Sequence, residues 1–246
     1  MKIITSGITD VGCVRASNED SLGLFPDLNL FVVADGMGGH AAGEVASQMA
    51  VEQIKAYIAS NAKDNGSATP LSNEEKLSKA IAYANLQIFK TGSEDPKLNG
   101  MGTTVVALLS TDEESVVGFV GDSRLYLVRG GTIEQLTHDH SMVNEYVQKG
   151  LLSAEAAEHH PQKHVLSRAM GTGIDVAVET FTHLPEVGDT YLLCSDGLSN
   201  KLSALEMSHI IESSGDLDEA AKSLIQKAIQ AGGEDNITVL LVSYVV

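Results

Sequence analysis

Asp35 ends an apolar, β-branched run, Phe31-Val32-Val33-Ala34, and is followed by Gly36, Gly38 and Gly39. Three other acids hold comparable places. Asp122 follows the run 116–121, Asp196 follows 191–195, and Asp235 precedes the apolar stretch 237–242. Strand ends are rigid, and residues remote in sequence converge there. Carboxylate oxygens suit hard divalent cations such as Mg²⁺ and Mn²⁺. Without a cation, convergent Asp residues repel one another and raise one another's pKa values. Glycines beside them let the backbone pass close to whatever they hold. The competing explanation of a single Asp-Gly is a turn, which both residues favour for local reasons. Four strand-end acids weaken that explanation, and on pattern alone both readings stand.

A second cluster comprises Arg15, Glu19 and Asp20. Arg offers a planar fork of donors suited to phosphate; the plainer alternative is a surface ion pair with Glu19. His40, at a helix start, is a candidate general acid or a structural residue. His138, His140, His159, His160 and His164 crowd a polar stretch but lack HExxH spacing, which argues against zinc. Cys194 lies inside an apolar run and reads as core rather than nucleophile.

The elements that must position these residues follow from periodicity. A strand is expected over 3–14, with a turn at 9–12 and a return. A buried strand leads into Asp35. From residue 41 to about 60 a helix is expected, with Val45, Ala46, Met49, Ala50, Ile54, Tyr57 and Ile58 recurring at spacings of three and four. Residues 61–73 are rich in Asn, Gly, Ser and Pro and read as an exposed loop. A second helix spans 74–91, with Leu77, Ala80, Ile81, Ala84 and Ile88 on one face. Strands are expected at 103–110, 115–120 and 125–128, the last pairing with 132–136 through Gly130-Gly131. Residues 138–170 have no strong core face and read as a small mobile excursion over the site. Strands return at 176–181 and 190–194. Helices follow at 203–213 and 217–231, the latter capped by Gly232-Gly233, and 237–246 form a central strand. Strand runs bracketing pairs of helices predict a layered α+β sandwich, two antiparallel sheets with helices outside.

The chain's 246 residues, 43% of them hydrophobic, suffice for a sizeable core. No apolar run reaches a bilayer span, and the N-terminal residues lack a signal-peptide pattern. Two cysteines outside any CxxC pair fit a reduced, cytoplasmic protein. The net charge of −17 argues against nucleic acid or an anionic membrane as partner. An acidic chain that handles phosphate must neutralise it locally, with a cation or a placed Arg.

Taken in order, Arg15-x-x-Asn18-Glu19-Asp20, Val33-Ala34-Asp35-Gly36-Met37-Gly38-Gly39-His40, Gly102-Thr103-Thr104, Gly121-Asp122-Ser123-Arg124, Ser195-Asp196-Gly197 and Asp235-Asn236 resemble the metal-dependent protein phosphatase family, type 2C, in its short bacterial and cyanobacterial form. The match covers nearly the whole chain. The resemblance implies a four-layer α-β-β-α sandwich forming one catalytic domain over 1–246, with a flap at about 140–170 that affects substrate choice. It implies two Mn²⁺ or Mg²⁺ ions, held by Asp35 as a bridging carboxylate and by the carbonyl of Gly36. Asp196 and Asp235 would complete one metal site, and Glu19 and Asp20 would support the other, directly or through water. Asp122, with Asp196, would hold a third, weaker ion. Arg15 would grip the substrate phosphate and His40 would protonate the leaving alkoxide. The implied activity is hydrolysis of phosphoserine and phosphothreonine in proteins by a metal-activated water, carried out by a monomer.

Two rival readings compete with this one. Gly36-Met37-Gly38-Gly39-His40-Ala41 satisfies a GxGxxA pattern, but Asp35 would face a pyrophosphate there, and no acid follows at a second strand end about 20 residues on. A phosphatase-like module that binds without turnover is the non-enzymatic alternative; a dead module has no need of the full set of acids. An aspartyl-phosphate enzyme is excluded by the lack of a DxD motif after every candidate strand.

Overall fold

The computed structural model describes residues 1–38, 42–61, 71–111, 113–158 and 160–246. His40, with Gly39 and Ala41, lies outside the described residues. So do most of the expected 61–73 loop, Asp112 and His159.

Eleven strands are described. In chain order they are β1 (Lys2–Asp10), β2 (Asp20–Phe25), β3 (Leu30–Met37), β4 (Gly102–Thr103), β5 (Val105–Ser110), β6 (Ser115–Val120), β7 (Arg124–Arg129), β8 (Thr132–Gln135), β9 (Glu179–His183), β10 (Thr190–Cys194) and β11 (Ile237–Val245). The helices are α1 (Ala42–Asn61), α2 (Asn73–Glu94), α3 (Met142–Gln148), α4 (Ala154–Glu158), α5 (Asp196–Ser199), α6 (Ala204–Ser213) and α7 (Leu217–Gln230). One sheet has the order β1-β11-β10-β7-β8. The other has the order β2-β3-β5-β6-β9, with β4 added to the end of β3. The named pairs are antiparallel throughout.

Period-2 alternation explains the layers. Leu30, Val32 and Ala34 of β3 face α1 and α2, where they meet Ala46, Ile54, Leu77 and Ile81. Phe31 and Val33 point the other way, into a core shared with Leu240, Val242 and Tyr244 of β11. Ile237, Val239 and Leu241 of β11 pack on α7 through Ala221, Leu224 and Ala228. Three apolar layers thus separate four layers of structure, α-β-β-α. Truncating one of the large buried side chains here, such as Phe31, is expected to cost about 3–5 kcal/mol. No helix among the described residues is long and apolar enough to cross a membrane.

Several expected elements shift. The hairpin over 3–14 is absent: β1 runs to Asp10 and pairs along its length with β11, Lys2 opposite Val245 and Asp10 opposite Ile237. Residues 11–19 turn away, because Asn236 Nδ2 takes the carbonyls of Val11 and Ser17 and Gly233 O accepts from Cys13 N–H. The strand expected over 103–110 breaks at Thr104, whose N–H donates to Asp35 O and whose hydroxyl accepts from Asp35 N–H, so that β4 and β5 stand on either side of it along β3. The strand expected at 176–181 lies at Glu179–His183, where it pairs with β6. The second helix is longer than expected, starting from a Ser72/Glu75 capping box. The stretch 138–170 forms the short helices α3 and α4. Its base is anchored: Met142 N–H bonds Val165 O, Ser167 N–H bonds His140 O, and Thr103 and Met170 exchange both backbone bonds.

Candidate metal centre

β3 carries Asp35 past the point where its sequence run ends, because β4 pairs with it, Gly36 opposite Thr103 and Met37 opposite Gly102. Asp35 therefore sits within a strand, not at its end. Its backbone is held by three bonds. Its N–H donates to Thr104 Oγ1 at 3.0 Å, and its carbonyl accepts from Thr104 N–H and Thr103 Oγ1, both at 2.9 Å. Directly across the ladder from Asp35 stands Asp20. Like charges opposed on neighbouring strands destabilise a sheet, so this register needs a compensating charge.

Asp20 is 7% exposed. Its Oδ2 accepts from Ser195 Oγ at 2.7 Å and from Thr238 Oγ1 at 2.6 Å. Its Oδ1 is buried without a partner. Burial, only partly offset by the two hydroxyls, raises the Asp20 pKa to about 6. An orphaned buried carboxylate oxygen is costly unless something else meets it.

Arg15, Glu19, Asp35, Gly36, Asp122, Asp196 and Asp235 line one cleft of about 930 Å³, with the buried Asp20 not on its walls. Asp196 opens the short helix α5, directly after β10. Asp122 sits in the tight turn between β6 and β7, and Asp235 immediately precedes Asn236 and β11. Asp35 is pushed well above the usual carboxylate range by burial and then by the charges of Asp20, Asp196, Asp122 and Asp235. Burial raises Asp122 to about 7, with Asp196 adding to the effect. Asp196 is raised by burial and by Asp235, and Glu19 chiefly by burial. Mutual repulsion of this kind is what bound divalent ions relieve.

Backbone closeness also fits a cradle. A Cβ on Gly36 would lie 2.1 Å from Gly43 O and 2.5 Å from Glu19 O. A Cβ on Gly197 would lie 2.0 Å from Asn236 O. The second position seats Asp196 against the Asp235-Asn236 turn. The donor set is all oxygen, which suits Mg²⁺ and Mn²⁺ rather than softer ions.

Arg15 is more exposed than the acids, and its Nη2 donates to Asp235 Oδ2 at 2.8 Å. Its partner is thus Asp235, not Glu19. Glu19 packs its Oε2 against Gly43, and its N–H donates to Asn236 Oδ1 at 2.8 Å. Cys194 is fully buried in β10, with its thiol pushed up to about 12 by burial.

The protein phosphatase 2C family model matches residues 15–231. The chain belongs to the protein phosphatase 2C family. It is 45% identical over 239 residues to the serine/threonine phosphatase stp of Listeria welshimeri, covering 95% of this chain and 93% of that one. Its fold is similar to the crystal structure of serine/threonine phosphatase Stp1 from Staphylococcus aureus, with a TM-score of 0.89 at 33% identity over 99% and 95% of the two chains. It is also similar to the catalytic domain of serine threonine protein phosphatase PstP in complex with two manganese ions, with a TM-score of 0.85 at 36% identity over 99% of each chain.

For this phosphatase 2C member, sequence reasoning missed the residues that hold the acids in place. Ser195 and Thr238 grip Asp20. Thr9 bonds Thr238 at 2.7 Å and takes a bond from Asn18 Nδ2. Ser123 bonds Thr104 at 2.7 Å beneath Asp35. Asn85, 1% exposed in α2, bonds the backbone of Gly171, Gly173 and Ile174 and fixes the chain just after 138–170. Lys163 and His164, within 138–170, also line the cleft. Asn18, Thr104, Ser123 and Ser195 stand inside the quoted motifs and His164 in the His-rich stretch, with no such role legible from them, and Thr9, Thr238, Asn85 and Lys163 carry no chemical signal in sequence.

Proposed function

We propose that this cleft is a two-metal centre and that Asp35, Gly36, Asp196, Asp235, Asp20 and Glu19 hold its ions. The chain is a metal-dependent protein serine/threonine phosphatase, and its substrates are phosphorylated proteins. The observation that carries the site assignment is the pair Asp20 and Asp35, opposed across one ladder with Asp20 Oδ1 buried and unpartnered. Asp35 would serve both ions, with the Gly36 carbonyl beside it. Asp196 and Asp235 would complete one ion's set, Asp20 and Glu19 would support the other, and Asp122 with Asp196 would hold a third, weaker ion. Mn²⁺ or Mg²⁺ bound here supplies Lewis acidity that lowers the pKa of water and offsets phosphate charge.

The chain's own residues then have separate tasks. The acids are held in place for the ions by their neighbours: Thr104 pins the backbone of Asp35, Ser195 the carboxylate of Asp20 and Asn236 the backbone of Glu19. Arg15, half-exposed with donors beyond the one given to Asp235, binds phosphate oxygens and stabilises the charge on them in the transition state. His40 donates a proton to the departing serine or threonine oxygen. Lys163 places a flap cation on the cleft wall, in reach of an anionic substrate, with His164 beside it. We read the chain as one catalytic domain with a flap at about 140–170, acting as a monomer in the cytoplasm without nucleic acid or membrane partners.

The test is hydrolysis of a phosphothreonine peptide by chelator-stripped protein, with and without added Mn²⁺. Activity is expected only with the ion, and Asp35→Asn and Asp196→Asn are each expected to remove nearly all of it. Turnover persisting in exhaustively chelated protein refutes the two-metal reading. Peptide binding without any turnover in Mn²⁺ points to the non-enzymatic module.

A further inference from the structure

His140 is 4% exposed and sits outside the metal cleft. Its ring Nδ1 lies 3.0 Å from Gly121 N, a backbone donor, so Nδ1 is the acceptor. The ring proton is therefore on Nε2, which donates to Glu179 Oε1 at 3.0 Å; Arg168 Nη1, a donor itself, lies 3.2 Å from the same Nε2 and gives its proton to Glu179 Oε1. The backbone of His140 is engaged as well. Its N–H donates to Gly121 O and its carbonyl accepts from Ser167 N–H, both at 2.9 Å. The ring stacks on Phe119 at 5.1 Å between centroids.

Among the described residues, the one set of three candidate ligands drawn within 4.8 Å of each other is His138, His140 and Glu179. A cation does not suit it. A metal on His140 Nε2 would move the ring proton to Nδ1, which faces the Gly121 N–H. Arg168 Nη1 already lies 2.8 Å from Glu179 Oε1, and His138 Nε2 lies 3.1 Å from Glu179 Oε2. The cluster is a clamp, and both of its sides lead to functional elements. On one side Gly121, at φ +107°, precedes Asp122; a Cβ there would meet Thr104 Cβ at 2.6 Å, and Thr104 holds the backbone of Asp35. On the other side Ser167 and Arg168 close the flap.

We propose that His140 is a positioning residue: through its unprotonated Nδ1 it fixes the Gly121-Asp122 turn, and through its carbonyl it binds that turn to the segment around Ser167 that closes the flap. The aim of the Asp122 carboxylate and the seat of the flap are thereby set together. The metal readout of this inference rests on the reading of Asp122 as a ligand of the weaker ion.

Two variants separate the ring's two edges. His140→Asn keeps an acceptor near the place of Nδ1 and loses the bond to Glu179. His140→Gln keeps a donor near the place of Nε2 and loses the acceptor for Gly121. Mn²⁺ titration by calorimetry is expected to show the weakest site loosened about 10–100-fold in His140→Gln, the usual cost of losing an outer-shell partner, and near wild type in His140→Asn. Amide hydrogen exchange at Gly121 is expected to accelerate in His140→Gln alone. Equal effects of the two variants on both readouts overturn the inference, since a merely structural histidine would not discriminate between them. If wild-type protein and Asp122→Ala titrate alike, the ion assignment of Asp122 fails, and Gly121 exchange still decides the clamp. In the wild-type protein, long-range ¹H–¹⁵N NMR of the imidazole is expected to show Nδ1 unprotonated; a proton on Nδ1 overturns the inference whether or not either variant folds.

Discussion

Metal binding by this chain is expected to be strongly proton-linked. In the folded, metal-free chain Asp20 has its pKa near 6 and Asp122 near 7, both raised chiefly by burial from an ordinary value of 3.8. Asp35 and Asp196 are shifted in the same direction. Ions require these groups deprotonated, so protons compete with them. At pH 5 a group of pKa 7 resists ionisation by about two log units and one of pKa 6 by about one. At about 1.4 kcal/mol per unit, Asp122 and Asp20 together take about 4 kcal/mol from total ion binding between pH 8 and pH 5. The sign for folding is opposite in the metal-free chain. An acid whose folded pKa is raised stabilises the fold below its unfolded pKa, and that contribution is lost as pH rises through the folded pKa. The melting temperature without metal is therefore expected to fall from about pH 4 to about pH 7, and saturating Mn²⁺ is expected to restore it most at the upper end. Calorimetry at pH 6 and pH 8, in two buffers of different ionisation enthalpy, counts the protons released. Between one and two protons are expected from Asp20 and Asp122 at pH 6, and few from this pair at pH 8. A dissociation constant for Mn²⁺ that is flat from pH 8 to pH 5, with no proton release, refutes the argument that burial and repulsion among these acids are what the ions relieve.

Three further outcomes follow from the same geometry. Arg15→Ala removes a charge-assisted contact worth about 1.5–3 kcal/mol and is expected to raise KM for a phosphopeptide, with some loss of kcat; an unchanged KM returns Arg15 to a surface ion pair. Thr104→Val leaves the Asp35 N–H without its hydroxyl acceptor and is expected to destabilise the metal-free fold by about 1–3 kcal/mol, read by urea unfolding, with weaker Mn²⁺ binding besides; full retention of both would mean that Thr104 does not hold Asp35. His40→Ala is expected to slow hydrolysis of a phosphothreonine peptide by about 10²–10⁴-fold and of p-nitrophenyl phosphate far less, because p-nitrophenolate leaves without a proton; equal losses on both substrates refute the general-acid role.

The elements with strong periodicity were legible from sequence. The face expected for α2, Leu77, Ala80, Ile81, Ala84 and Ile88, is fully buried, because a 3.6-residue repeat has only one way to meet an apolar sheet. The partners of β1 were not legible. A Thr-Asp-Val-Gly turn after one strand looks the same whether the chain returns or departs, and what decides it is Asn236, more than 200 residues away, taking the carbonyls that a return strand would have used. Arg15 shows the same limit. Its local partner, Glu19, is four residues on, yet the side chain meets Asp235, because β1 and β11 are neighbours and carry the loops at their ends together.

The acids themselves were legible as types, and their coupling was not. Asp20 and Asp35 lie in separate strand runs, and only the β2-β3 register sets them opposite each other. That register is fixed by the apolar faces: sliding by one residue would turn Phe31 and Val33 from the inter-sheet core toward the helices. The core therefore forces two carboxylates into opposition, and Ser195 and Thr238 satisfy only one oxygen of Asp20. Thr238, inside an apolar strand, carries no signal in sequence, since a strand accepts Ser and Thr on either face, and Ser195, just past β10, shows nothing in sequence of its bond to Asp20. Their effect here is to fix one oxygen of Asp20 and leave the other buried and unpaired. The packing that stabilises the sandwich and the repulsion that prepares it for divalent ions thus come from a single strand register, which is why a fold of net charge −17 can present a site for phosphate.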